Sequence, residues 1–166
     1  MRAEPKDDAK PAPELQALDY FVGSWSCKGR IEPSADAPGR VIKGTLFCRW
    51  ELGKFFLGVT EDDEQSLEHP QRRQARAFWG YDAAAKLYTC GAFFFGGARL
   101  TGTSSGWRGK KLTFACDLFD GATTTGVRQS MTRESDDDMI IRIEVIGGDG
   151  EVRTRMEEAC HRQDEG

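Results

Sequence analysis

The stretch Lys111-Leu112-Thr113-Phe114-Ala115-Cys116-Asp117-Leu118, with the turn Asp120-Gly121 behind it and Val127-Arg128-Gln129-Ser130-Met131 beyond, decides the fold. Leu112, Phe114, Cys116 and Leu118 share one face of an extended chain, and Lys111, Thr113, Ala115 and Asp117 share the other. A period of two marks a strand with one dry face. The same alternation sets Val127, Gln129 and Met131 against Arg128, Ser130 and Thr132. It sets Ile141, Ile143 and Val145 against Arg142 and Glu144, and Val152, Thr154 and Met156 against Arg153 and Arg155.

Working outward, further extended runs are expected at 24–31, 40–51, 54–61, 74–81, 86–95, 98–106, 110–119, 123–133, 138–146 and 151–161. Short glycine- and aspartate-bearing turns separate most of them, among them Leu52-Gly53-Lys54, Tyr81-Asp82, Gly96-Gly97 and Gly147-Gly148-Asp149-Gly150. Proline cannot donate to a strand ladder, and none occurs after Pro70, which fits an uninterrupted sheet. The connections are too short for crossover helices, so neighbouring strands run antiparallel. About ten strands in up-and-down order would leave two open edges, and closing the sheet into a barrel removes them. A β-sandwich is the competing architecture, but its crossings need longer connections than most of these. The expected fold is therefore all-β: an antiparallel up-and-down barrel of about ten strands, preceded by a short helix.

That helix is read from Leu15, Leu18, Phe21 and Val22, which recur at helical spacing before Gly23. Residues 1–13 hold three prolines and mixed charges without apolar periodicity and read as a disordered tail. Residues 14–162 then form one barrel domain, and 163–166 a C-terminal tail. The one long connection, 62–73, carries Asp62, Asp63 and Glu64 against Arg72 and Arg73. It reads as a solvated loop whose charge blocks could pair, or as a lid over a barrel mouth.

The length of 166 residues is that of a single domain. With Lys+Arg 23 against Asp+Glu 27 the net charge is −4, so nothing global attracts phosphate and nucleic acid is not an expected partner. No run of apolar residues is long enough for a membrane helix, and no apolar segment follows the first residues. The expected location is cytoplasmic, or periplasmic if an export signal has been removed. Five cysteines, Cys27, Cys48, Cys90, Cys116 and Cys160, include no CxxC pair and signal neither a disulfide framework nor a zinc site. At least four point inward by phase, as inert buried thiols. First and last strands meet when a barrel closes, which makes a Cys27–Cys160 contact geometrically conceivable.

A ten-stranded barrel is wider than side chains alone need fill, so a cavity is expected. Its candidate lining is Trp25, Cys48, Trp50, Phe114, Cys116, Met131 and Met156, with Gln129 and Thr154 as polar groups that could orient a ligand. Phe93-Phe94-Phe95 puts aromatics on both faces of one strand, so one face must pack outside the barrel, under the helix or in a homodimer contact. Tyr81-Asp82 reads as a strand-end turn in which the aspartate bonds its own backbone, rather than an acid/base pair.

Gly23-Ser24-Trp25-Ser26-Cys27-Lys28-Gly29 resembles the opening motif of calycin-type barrels, in which a Gly-x-Trp follows a short helix and the tryptophan plugs the closed end. Together with Gly80-Tyr81-Asp82 and an arginine-rich last strand, it resembles a bacterial family of unknown function with a lipocalin-like barrel. It is more distantly similar to nitrobindin and the fatty-acid-binding proteins. The nitrobindin likeness implies a haem site held by a histidine near the C-terminus, for which His161 is the candidate here. Cys27, however, replaces the motif's middle glycine, and no apolar context surrounds His161. The fatty-acid-binding likeness implies an Arg-x-Tyr carboxylate clamp, but Arg153-Thr154-Arg155 lacks the tyrosine and points away from the face of Met156. The function expected first is binding of a small, largely apolar molecule without a cofactor. The alternatives are a haem enzyme of peroxide or nitrogen-oxide chemistry, a cofactor-free isomerase on the same scaffold, and a filled structural barrel.

Overall fold

The computed structural model describes residues 9–35, 37–64 and 73–164. Eleven strands follow an opening 3-10 helix at Pro13–Phe21: β1 (Gly23–Ile31), β2 (Arg40–Glu51), β3 (Phe56–Asp63), β4 (Gln74–Asp82), β5 (Leu87–Phe94), β6 (Arg99–Ser104), β7 (Trp107–Arg108), β8 (Lys111–Asp120), β9 (Thr123–Arg133), β10 (Asp138–Ile146) and β11 (Val152–Arg162). Consecutive strands pair antiparallel except β6 and β7; β6 pairs with β8 instead, and β1 pairs with β11. These ten form a closed barrel; β7 is a two-residue addition along the edge of β8. No helix among the described residues is long and apolar enough to cross a membrane.

The alternation read from the sequence is the alternation observed. Leu112, Phe114 and Cys116 are buried while Lys111, Ala115 and Asp117 are exposed. Arg155 lies outside, bonded to Glu144 at 3.0 Å, and Arg153 lies outside with Asp149. A register shift at Val145/Ile146 does not turn either arginine inward.

Three expectations need correcting in detail. The helix is of the 3-10 type, and Leu15, Leu18 and Phe21, spaced by three, eclipse one another on its buried edge. The third strand begins two residues later than expected, because Leu52, Gly53 and Lys54 all take left-handed conformations in the turn before it. It then runs on through Asp62 and Asp63, which the charge pattern had assigned to a loop. Asp63 faces Arg73 across the break at 4.0 Å; the rest of that connection, 65–72, lies outside the described residues. Phe93 and Phe95 are 61% and 73% exposed and are not covered by the helix, which sits at the opposite end of the barrel.

The conceivable meeting of Cys27 with Cys160 is realised, and the reading of these two as inert free thiols is corrected. Cys27 and Cys160 are paired partners in the β1–β11 ladder and are bonded to each other. Spacing rules detect local cysteine motifs, whereas this pair is 133 residues apart and meets only when the barrel closes.

Candidate functional site

The helix end of the barrel is sealed. Phe21 stacks on Trp107 (centroids 5.5 Å apart, 12°) and meets Trp79 edge-on at 5.0 Å; Trp79 in turn packs on Phe114 at 5.3 Å. Fully burying one such ring contributes roughly 4–6 kcal/mol of gross transfer free energy, at ~25 cal/mol per Å² over ~150–250 Å². Trp25 is wholly buried beside them and donates through Nε1 to the Phe21 carbonyl at 2.9 Å. The Arg162 guanidinium lies 4.2 Å over the Trp25 ring and donates to the carbonyls of Val22 and, at 2.7 Å, Tyr20. Gly23, at φ 125°, turns the chain from helix to strand with an Arg162 nitrogen 3.0 Å from where a Cβ would stand.

Above this floor is a cavity of ≈ 420 Å³. Its apolar wall includes Leu46, Val59, Ala77, Ala92, Leu100 and Ile141. Of the residues expected to line it, Cys48, Gln129, Met131, Thr154 and Met156 do. Trp25, Trp50, Phe114 and Cys116 lie outside the lining. Trp25 and Phe114 belong to the floor; Trp50 reaches the helix instead, donating from Nε1 to Asp19 at 2.8 Å. Cys116 packs over Gly102, where an added Cβ would come within 2.3 Å of its sulfur. Gln129 and Thr154 have no side-chain hydrogen-bond partner among the described residues.

Sequence reasoning missed three carboxylates at the far end of the cavity: Glu61 and Asp63 of β3, and Glu158 of β11. Each is in phase with inward neighbours, Glu61 with Leu57 and Val59, Glu158 with Met156 and Cys160. On the two intervening strands Gly29 is the partner of Glu158 and Gly44 the partner of Asp63, so the positions beside these carboxylates carry no side chain. A Cβ on Gly44 would fall 2.6 Å from Asp63 Oδ1, so the carboxylate occupies the space that glycine leaves. Glu158 is 4% exposed. Burial pushes its carboxyl up to about 8, the charges of Glu61 and Asp63 adding to the effect and Arg73 opposing it. Burial likewise pushes Glu61 up to about 7, with Asp63 adding and Arg73 opposing. Asp63 is raised by burial against the pull of Arg73 and Arg40.

His161 does not face this cavity. It projects from the outer face of β11, 65% exposed at its side chain, with Nδ1 2.7 Å from Asp138, whose hydrogen bond raises its pKa. No imidazole lines the cavity among the described residues, so His161 does not fit the role of haem ligand in the barrel. The free thiols Cys48, Cys90 and Cys116 are buried, and burial pushes them up to about 12, 12 and 11. Such thiols stay protonated and poor as nucleophiles or metal ligands. No cluster of ligating side chains suited to a metal ion occurs among the described residues. Asp82 accepts from the Ala84 and Ala85 amides at 2.9 and 3.0 Å, as its reading as a turn aspartate requires.

Comparison with solved structures places this barrel among known ones. Rv2717c from M. tuberculosis superposes with a TM-score of 0.73 at 14% identity, over 93% of this chain and 100% of that one. The S-type phycobiliprotein lyase CPES from Guillardia theta gives 0.60 at 10% identity, over 94% and 100%. These likenesses show a calycin-like fold. No functionally curated protein matches the chain. Residues 10–162 match a family described as protein of unknown function, DUF1579, and the chain belongs to that family.

Proposed function

We propose that this barrel binds a small, largely apolar molecule in its cavity. The observation that carries the reading is the ≈ 420 Å³ space itself, walled by aliphatic, aromatic and sulfur-bearing side chains and floored by an aromatic plug. Small-molecule sites span about 300–1,000 Å³ and share this mostly apolar lining with a few polar groups. A filled structural barrel would have no such space. A phycobiliprotein lyase shares the fold.

Nile red, neutral and apolar, tests it. Saturable one-to-one binding with a blue-shifted emission is expected. Met131→Asp, at a wall position 1% exposed, should weaken binding at least tenfold, and Ala77→Leu should weaken it by filling space without adding charge. An absence of saturable binding by the folded protein would overturn the proposal.

A second reading, cofactor-free isomerisation, draws on the Glu61 and Glu158 carboxyls near about 7 and 8. Groups poised there can give and take protons at neutral pH. Enzyme-dependent deuterium exchange at the α-carbon of an apolar cyclic ketone, lost in Glu158→Gln, would support it; no exchange above the buffer rate would count against it.

A further inference from the structure

We propose that the ligand is an amphiphile with a positively charged nitrogen, held at the far end of the cavity by Glu158, Glu61 and Asp63 while its apolar body fills the barrel. The proposal rests on the reading of the cavity as a binding site and adds the chemical class of what it takes.

The first observation is geometric. Three carboxylates converge on one end of a cavity whose walls are mostly apolar, and Gly29 and Gly44, their ladder partners, set no side chain between them and the cavity. The second is the state of Glu158. It is 96% shielded from solvent, it lines the cavity, and it has no hydrogen-bond or ion-pair partner among the described residues. Among the described residues no fully buried side-chain polar atom lacks a partner, so the surface the Glu158 carboxyl keeps opens to the cavity, where a ligand can supply one. The third is charge balance. Among the described residues Arg73 is the one cation in the lining, and it faces Asp63 at 4.0 Å. Once Glu61 and Glu158 ionise, a fatty-acid carboxylate would enter against unneutralised negative charge, whereas an ammonium group would relieve it.

The groups facing Glu158 set the pH dependence: Glu61 and Asp63 from β3, Arg73 ahead of β4, and Arg40 of β2 behind Asp63. With Glu158 and Glu61 raised to about 8 and 7, both hold protons at mildly acidic pH. A cation must displace them, so its affinity should rise as the pH climbs, by about tenfold per unit for each proton released. An alkyl ammonium keeps its own charge across that window.

The experiment compares decylamine, decyltrimethylammonium, decanol and decanoate, each below its micelle threshold, by calorimetry and by Nile red displacement at pH 6 and pH 8. The expected result is that both cations bind at least tenfold tighter than decanol at pH 8, that decanoate binds weakest, and that the cation preference shrinks at pH 6. In Glu158→Gln, and separately in Glu61→Gln should the first variant misfold, the cation-to-alcohol affinity ratio should fall toward one. Cations binding no better than decanol at pH 8 would overturn the inference while leaving apolar binding intact. Failure of Nile red and decanol alike would overturn the underlying reading instead, and calorimetry of decylamine still judges the inference directly.

Discussion

Cys27 of β1 and Cys160 of β11 sit opposite one another in the ladder that joins the first strand to the last, and a disulfide ties them across it. The bond spans 133 residues of sequence and bridges two inward-facing positions, so it clasps the seam where the barrel closes. In the chain-entropy description a loop of that size stabilises the folded state by about 4–5 kcal/mol. The Cys27→Ala/Cys160→Ala pair should therefore lower the thermal midpoint by on the order of 10 °C in a domain of this size. An unchanged midpoint would show that the strand ladder alone holds the seam.

Thiol titration checks the same bond chemically. The native protein should react with an aromatic disulfide reagent at none of its cysteines over minutes, since Cys48, Cys90 and Cys116 are buried and protonated. Three thiols should react in denaturant and five after reduction. Disulfides persist in oxidising compartments, whereas a reducing cytoplasm would leave all five free. Thiol trapping in intact cells therefore tests the cytoplasmic expectation.

Arg162 replaced by Ala should destabilise the fold by about 3 kcal/mol in urea unfolding. The change removes charge-assisted bonds to the Tyr20 and Val22 carbonyls and the stack on Trp25. Arg162→Lys should recover little, because an ammonium cannot present a planar fork to two carbonyls while stacking on an indole. Full rescue by lysine would mean that charge alone matters.

Stability should fall as the pH rises through the range set by Glu158. Below its unfolded pKa the group is protonated in both states and costs nothing. Between there and about 8 the unfolded chain ionises while the folded one does not, so stability is lost progressively. The loss levels off once the folded group ionises as well. The penalty at pH 8 is on the order of a few kcal/mol. Glu158→Gln should raise the unfolding midpoint at pH 8 more than at pH 5, and an equal effect at both would show that Glu158 ionises freely in the barrel.

The barrel was legible because alternation is a local property: Leu112 to Leu118 and Ile141 to Val145 announce a dry face without reference to anything distant. Alternation gives the face, however, and not the height along the barrel axis. Trp25 and Phe114 do turn inward, but at the level of the floor, whereas Met131, Gln129 and Met156 stand where space remains. The carboxylates were hidden for a different reason. Asp62, Asp63 and Glu64 form a charge run of the kind that normally marks solvent, and that masked the phase of Glu61 and Asp63 with Val59. Glu158 could have been found, since it falls between Met156 and Cys160 in a plain inward series.

The opening 3-10 helix is held almost entirely by side chains from elsewhere. Tyr88 donates to the Glu14 carbonyl and Trp107 to that of Ala17, both at 2.8 Å; Trp50 reaches Asp19, Trp25 reaches Phe21, and Arg162 takes Tyr20 and Val22. During translation these nine residues leave the ribosome before every one of their anchors, and the last anchor follows some 140 residues later. The helix is made first and receives its last anchor only with β11, so a nascent chain stalled before that strand would hold an unclosed sheet, with the Cys27 seam unmade and the Arg162 clamp on the helix end missing.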